Sequence, residues 1–419
     1  MVLDSAGLED LNQSCVESLK SLRMPTLRQE EYRFTDLSPL TRSSVYVADM
    51  PSDVSDIVSE TSLEEDATTI VMVNGVVHSV TIAGVLPEGA YVGPVDGAPK
   101  DILKFSLGAQ SKSRGGVFAT MNGASARDCA VVYVPEESML THPIHIINIS
   151  SSDTVPEKLA YSAPRVLIFL EAGASAEVVE EFVSMGQSGT ATFSVTEIEL
   201  DDAASLSHTF VELENDKAIT VKSTLVSQGT ESRYALAEVR LGGELSRHDV
   251  GIVQLGEKTQ TEMKHFILAG DNQTHDLHTK LALDHPEGVA DQIHKCIAAS
   301  DSAKGVFDGN VKVNRMAQRT DAGQLSRNLL LAPRATVNVK PNLQIVADDV
   351  KCTHGCAVSD LEAEQLFYLQ ARGIDPASAR KMLVYSFGGE VIQHLKDTRL
   401  ISRVEKKTTE TLDRVFINM

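Results

Sequence analysis

Tryptophan is absent from the 419 residues of this chain, and aromatic residues make up only 5% of it. A core without large rings must be built from Val, Ile, Leu and Ala, which suit thin, regular layers better than globules anchored on indoles. Five cysteines (Cys15, Cys129, Cys296, Cys352 and Cys356) are too few for a disulfide framework at this length and point to a reducing compartment. No run reaches the roughly 20 apolar residues of a membrane helix; the longest, such as 166–170, are strand-length, so no membrane insertion is expected. The first ten residues hold Asp4, Glu9 and Asp10 and have no basic stretch ahead of an apolar one, unlike a secretory signal or an acid-poor transit peptide. Basic residues are also scarce. Lys and Arg number 38 against 58 Asp and Glu, a formal charge of −20. Electrostatic nucleic-acid binding and attachment to anionic membranes need clustered cations and are excluded on that balance. The chain contains no G-x-x-x-x-G-K-[ST], no G-x-G-x-x-G and no G-x-S-x-G, so any nucleotide hydrolysis must come from a partner.

What is present is 42% hydrophobic residues, enough for a sizeable core. Leu8, Leu11, Cys15, Leu19 and Leu22 recur at helical spacing and predict a first helix that Pro25 ends. Residues 51–66 are acidic and Ser-rich and read as a linker, closing an N-terminal helical region over 1–66. From 67 to 350 the texture is β: short runs at 69–73, 131–134, 144–149, 166–170, 192–200, 218–226, 235–241 and 250–255, punctuated by Gly, Asn and Asp, with no intervening amphipathic helix. That excludes alternating βαβ units and leaves a sandwich, barrel or solenoid. Strands that continue this long without a change of composition favour stacked coils, although no fixed period is visible. A C-terminal helical domain is expected over 351–419. Its signals are a capping box at Ser359–Glu362, a stop at Gly373, an Asp375-Pro376 start to a helix through Tyr385, an interruption at Gly388-Gly389 and a final helix over 398–417.

The sharpest chemical feature is Lys351-Cys352-Thr353-His354-Gly355-Cys356. In an extended strand, alternate residues share a face, so Cys352, His354 and Cys356 would lie side by side about 7 Å apart. Thiolate and imidazole suit zinc, copper(I) or iron–sulfur units, but a closed zinc site wants a fourth ligand and a second knuckle, and neither is visible. The plainer reading is two buried cysteines and a satisfied histidine at a strand end. Five histidines between 265 and 294 (His265, His275, His278, His285, His294) read as solvated loop residues, and Asp201, Asp202, Asp284 and Asp291 as a solvated acidic face.

A resemblance adds to this. The stretch 341–355, Pro-Asn-Leu-Gln-Ile-Val-Ala-Asp-Asp-Val-Lys-Cys-Thr-His-Gly, followed by Glu364-Gln365-Leu366-Phe367-Tyr368-Leu369-Gln370-Ala371-Arg372-Gly373, resembles the C-terminal signature of the SufB/SufD iron–sulfur assembly proteins. Gly305–Gly309, Gln318–Ala322, Arg327–Leu331, the run Gly242-Gly243-Glu244-Leu245-Ser246-Arg247-His248-Asp249 and the segment Pro25–Thr35 are similar to the SufD branch. The SufB branch carries a Thr-Gln-Cys ahead of the signature, and the comparable 319–328 here has no cysteine.

The resemblance implies a mainly β protein, a right-handed parallel β-helix core flanked by N-terminal and C-terminal helical domains. It implies a non-enzymatic subunit of the SUF iron–sulfur cluster assembly complex, building or transferring nascent clusters and assisting iron acquisition. The expected partners are a SufB-like paralogue, met through the β-helix, and the ABC-type ATPase SufC, docked on the C-terminal domain; alone, the chain would form a homodimer. His354 matches the histidine that family members place near the partner interface as a candidate cluster or iron ligand. Cys352 matches a cysteine common in SufD-type chains, while Cys356 falls where relatives have a small residue and is a third candidate metal ligand. Phe367, Tyr368 and Arg372 are candidate ATPase contacts. No cofactor is expected to be stably bound, only iron or a cluster passing transiently through the interface. Plastid stroma is the expected compartment, with bacterial cytoplasm as the alternative. Two other readings stay open on sequence: a solenoid interaction protein without metal chemistry, and a β-helix enzyme acting on polysaccharide.

Overall fold

A computed structural model of the chain describes residues 6–153, 155 and 158–417. Two sheets, of 11 and 10 strands, run the length of the core, and from Arg165–Leu170 onward consecutive strands alternate between them. Each strand pairs in parallel with the strand two places on in sequence, so every pair of strands is one coil of a parallel β-solenoid. The antiparallel pairs occur near the start, where Val76–Thr81 folds back on Thr68–Val73 and Tyr91–Pro94 lies along Ala130–Val134.

Period-2 alternation decides which side chains enter the lumen. Ile168, Ile198, Val226, Ile252, Leu281 and Val311 occupy the same register position in successive coils and form an aliphatic ladder inside the rod. The turns stack as well. Gly173, Ala203, Glu231, Lys258, Glu287 and Arg319 each have positive φ, and each donates its N–H to a carbonyl in the neighbouring coil's turn at 2.6 to 2.9 Å. The interval between these left-handed residues varies, which is why the sequence shows no fixed period.

Both helical regions pack on the outside of this core. Leu8, Leu11 and Cys15 of helix Ala6–Leu19 join Cys129, Val131 and Leu167, and Asn12 Nδ2 donates to the Gly123 carbonyl at 2.7 Å. The helix ends at Leu19 rather than at Pro25, and Leu22 is exposed. Two further expectations are corrected. Residues 51–66 contain the helix Ser55–Thr61, held by Arg403, which donates to the Thr61 and Ser62 carbonyls. The β region is interrupted by helices Lys100–Ser106, Ala109–Arg114 and Val117–Ser125; Glu197 accepts from the N–H groups of Gly108 and Ser111 and satisfies the start of the second.

At the other end, Lys351–Ser359 is still a strand, so β structure extends past residue 350. The following helix, Ala363–Ala371, begins at Glu362 without a side-chain cap, so the Ser359–Glu362 box does not form; Asp360 accepts from the Leu361 N–H instead. Asp375 does cap Pro376–Ile392, accepting from the N–H groups of Ala377 and Ser378. That helix runs straight through Gly388-Gly389. The helix buries Gly388 against the Phe266 ring, where a Cβ would come within 2.6 Å, so the residue serves close packing rather than termination. With Thr398–Ile417 it covers the outer face of the 10-stranded sheet around Val239, Phe266 and Leu268.

Candidate functional site

Among the described residues nothing caps the solenoid at its C-terminal end. Thr336–Ile345 and Lys351–Ser359 are each paired on one side only, leaving a row of free backbone donors and acceptors on both. The side chains that would fill the next layer of core stand uncovered. Val337, Val339, Leu343 and Cys352 are half-buried against the core, while Ile345, Val346 and Val358 are 46%, 53% and 45% exposed.

The three candidate ligands belong to this layer. Cys352, His354 and Cys356 sit in register over Ala322, Gln324 and Ser326, all of which are buried. They therefore share the inward-facing side of the last strand, as the alternation in sequence predicts, and they meet solvent because no described residue stacks on them. Burial raises both thiols above their ordinary pKa, so at neutral pH they are protonated, and binding a soft metal would release protons. Among the described residues no group of three or more His, Cys, Asp or Glu side chains is arranged to hold a metal ion. The last coil thus offers one face of donors rather than an enclosed cage.

Beneath that face runs a polar line that sequence reasoning missed. Gln324 donates to Gln292 at 3.0 Å; Gln292 donates to His265 Nε2 at 3.3 Å. His265 Nδ1 then donates to Glu238 at 2.7 Å, and His248 reaches the same oxygen at 3.1 Å. Burial opposes the Glu238 charge, but His248, Arg240 and His265 more than offset it and hold the carboxyl well below the ordinary carboxylate range. Desolvation leaves His275, lowered to about 3, and His294 neutral; His294 hydrogen-bonds Ser326 at 3.0 Å and stacks on Phe307. Thus His265, His275, His278 and His294 are buried on strands, and the solvated-loop reading of them is wrong. His265, His275 and His294 share the inward register with Met263, Leu277 and Cys296, so alternation with those apolar residues was the available signal; His278 is on the outer face, buried beside Asp276.

On helix Ala363–Ala371 no residue is buried. Phe367 and Tyr368 are 72% and 56% exposed, and the Arg372 guanidinium lies 4.5 Å from the Tyr368 ring centroid. An exposed aromatic pair with a stacked arginine has the composition of an interface anchor. No helix among the described residues is long and apolar enough to cross a membrane.

Comparison with known proteins adds an independent line. Residues 150–387 match the family model described as SUF system FeS cluster assembly, SufBD core domain, and residues 3–146 match the SufBD protein N-terminal region. The chain is 44% identical over 398 residues to Protein ABCI7, chloroplastic, of Arabidopsis thaliana, covering 93% of this chain and 83% of that one. It is 34% identical over 412 residues to an iron–sulfur cluster assembly SufBD family protein of Synechocystis, with coverage of 95% and 90%. Against the iron–sulfur cluster assembly protein SufD of Escherichia coli the identity is 27% over 395 residues, covering 94% of this chain and 90% of the relative.

Proposed function

The chain belongs to the SufBD family of the SUF iron–sulfur cluster assembly system, and from that premise we propose that it works as a SufD-type, non-enzymatic subunit of an assembly complex. The uncovered last coil carries this reading. A free strand edge with core-type side chains beside it calls for another β-solenoid, whose own last coil would continue the ladder and bury Leu343, Ile345 and Val358. A SufB-like paralogue is that partner; in its absence a second copy of this chain takes the same edge, giving a homodimer.

In this arrangement Cys352, His354 and Cys356 face the junction, and iron or a nascent cluster is cargo held transiently there, its coordination completed from the partner. No cofactor stays bound. The thiols are protonated in the free chain, so loading is coupled to proton release and to assembly. Phe367, Tyr368 and Arg372 on the exposed C-terminal helix dock the ABC-type ATPase, which supplies the nucleotide hydrolysis that this chain lacks motifs for. Plastid stroma is the compartment we favour, supported by the chloroplastic name of the Arabidopsis relative; the bacterial relatives keep cytoplasm as the alternative.

Anaerobic co-expression with a SufB-like paralogue and the ATPase tests the proposal. We expect a ternary complex whose visible absorbance after reconstitution falls in His354→Ala and Cys352→Ala. Phe367→Ala with Tyr368→Ala should release the ATPase alone. A chain that stays single under co-expression overturns the assembly role; unchanged absorbance in the His354→Ala, Cys352→Ala double variant overturns the cargo site while leaving a plain interaction solenoid.

A further inference from the structure

The outer face of the 11-stranded sheet carries a groove that the assembly role does not use. It has a volume of about 800 Å³ and lies across the strands between Leu245–Gln254 and Thr336–Ile345. The parallel register lays out its floor in rows. Gly251, Lys280, Asn310 and Asn342 are ladder neighbours in one row, and Val253, Ala282, Lys312 and Gln344 in the next. Side chains within a row stand about 4.8 Å apart and the rows about 7 Å apart, so Lys280 and Lys312 project into the same opening. Lys340 stands in the adjoining row, and Arg114, at the end of helix Ala109–Arg114, forms part of the wall.

Four cations around one opening stand out in a chain whose formal charge is −20. What two of them hold is visible. The segment Glu30–Tyr32 crosses the sheet beside the groove; Glu31 accepts from Lys280 at 2.6 Å, and Glu30 pairs with Lys340. Both pairs are solvent-exposed, where an ion pair adds little stability and is readily exchanged. The strap does not depend on them, because Arg247 anchors it through the Glu31 backbone carbonyl at 2.9 Å and lies over the Tyr32 ring. Lys312 is exposed and has no carboxylate partner among the described residues. The amides complete the site: Asn342 donates to Asn310 at 2.7 Å, and Gln344 lies beside Lys312.

We propose that this groove binds a multiply charged phosphate anion, with Lys312, Lys280 and Lys340 as its charge partners and Glu30-Glu31 as displaceable carboxylates occupying part of the site in the free chain. The volume falls within the range of small-molecule sites, and lysine ammonium groups engage phosphate as point charges. The short apolar strip of Gly251, Val253 and Ala282 would underlie any uncharged body the anion carries. The inference is separate from the assembly role in the side chains it uses: Lys340, Asn342 and Gln344 lie on the outer face of Thr336–Ile345, whereas the proposed junction uses that strand's inward-facing Leu343 and Ile345 and its free edge.

Equilibrium dialysis of the full chain with inorganic pyrophosphate, and separately with inorganic triphosphate and with a nucleoside triphosphate, tests it without any partner. Saturable binding should weaken in Lys312→Ala and tighten about tenfold in a Glu30→Gln, Glu31→Gln variant, which frees Lys280 and leaves Lys340 with Asp308 alone, at 3.6 Å. Pyrophosphate should also protect Lys280, Lys312 and Lys340 from acetylation, read peptide by peptide. Tighter binding of the nucleoside triphosphate than of inorganic triphosphate assigns the apolar strip to a nucleoside; equal binding of those two assigns a free polyphosphate. Absence of saturable binding in the Glu30→Gln, Glu31→Gln variant, or binding that Lys312→Ala leaves unchanged, overturns the proposal.

Discussion

Lys222 Nζ lies 3.0 Å from Glu180 Oε2, with both side chains sealed inside the solenoid. They come from opposite sheets, and Thr196 Oγ1 and His208 close the remaining hydrogen bonds around them. The ammonium also lies over both the Phe182 and Phe210 rings, 5.3 and 5.0 Å from their centroids. Burial alone would raise the Glu180 carboxyl; Lys222 and His208 more than offset it and keep the group ionised. A charge so enclosed depends on its partner.

Lys222→Met should therefore cost about 3–5 kcal/mol, because it strands a buried carboxylate. Adding Glu180→Gln should return most of that loss, since replacing both members of a buried pair is far milder than removing one. Denaturant midpoints of the two single variants and the double variant close the cycle. Additive losses would mean that the pair is not coupled.

The same neighbourhood shows what could be read from the sequence and what could not. β-branched runs located eight of the core strands, while the polar-rich strands from Gln260–Ala269 to Thr336–Ile345 gave no such runs; alternation put Cys352, His354 and Cys356 on one face. The adjacent Glu180 and Glu181 illustrate the limit. Alternation sends the first into the lumen to Lys222 and the second beneath the C-terminal helix to Arg403, at 2.7 Å. Both partners are remote in sequence, so two buried ion pairs look like a solvated acidic dipeptide. Helix Pro376–Ile392 was cut short for a related reason: Gly388-Gly389 reads as a stop until Phe266, far upstream, is seen pressed against it.

Glu212 makes stability depend on pH in a definite direction. Burial and then the neighbouring Glu214 charge push its carboxyl up to about 8, against the pull of Arg240 and the Ser246 hydroxyl at 2.6 Å. The folded chain thus holds a proton that the unfolded chain, with its ordinary value near 4.5, has already lost. Its contribution is fully present below about pH 4.5 and declines as pH rises through about 8. Glu212→Gln should flatten that decline and be the more stable form at pH 9. Parallel stability profiles for the parent and the variant from pH 5 to 9 would refute this.

Adjacent glycines on one helix should respond oppositely to the same change. Gly388→Ala places a methyl within 3.0 Å of three Phe266 ring atoms and should cost about 1–3 kcal/mol through overpacking. Gly389→Ala meets nothing within 4 Å and should stabilise by roughly 0.5–1 kcal/mol through helix propensity. Thermal melts of the two variants distinguish them, and equal effects would place the helix elsewhere than on Phe266.

The proposed pairing edge can be blocked without disturbing the core beneath it. Ile345 and Val358 are inward-facing by register yet about half exposed, so a lysine at either position keeps its stem on apolar surface and its charge in water. On a free strand edge, that charge opposes continuation of the ladder by another solenoid. Ile345→Lys with Val358→Lys should leave the melting temperature of the isolated chain within a few degrees of the parent. It should weaken association with a SufB-like paralogue by about tenfold or more, since one uncompensated buried charge exceeds 1.4 kcal/mol. Binding of the ATPase should not change, because Phe367 and Tyr368 lie on a separate helix. Sedimentation of the chain alone and with each partner reads all three outcomes. Undiminished pairing with the paralogue would move the interface away from the last coil and leave Cys352, His354 and Cys356 facing solvent instead of a shared site.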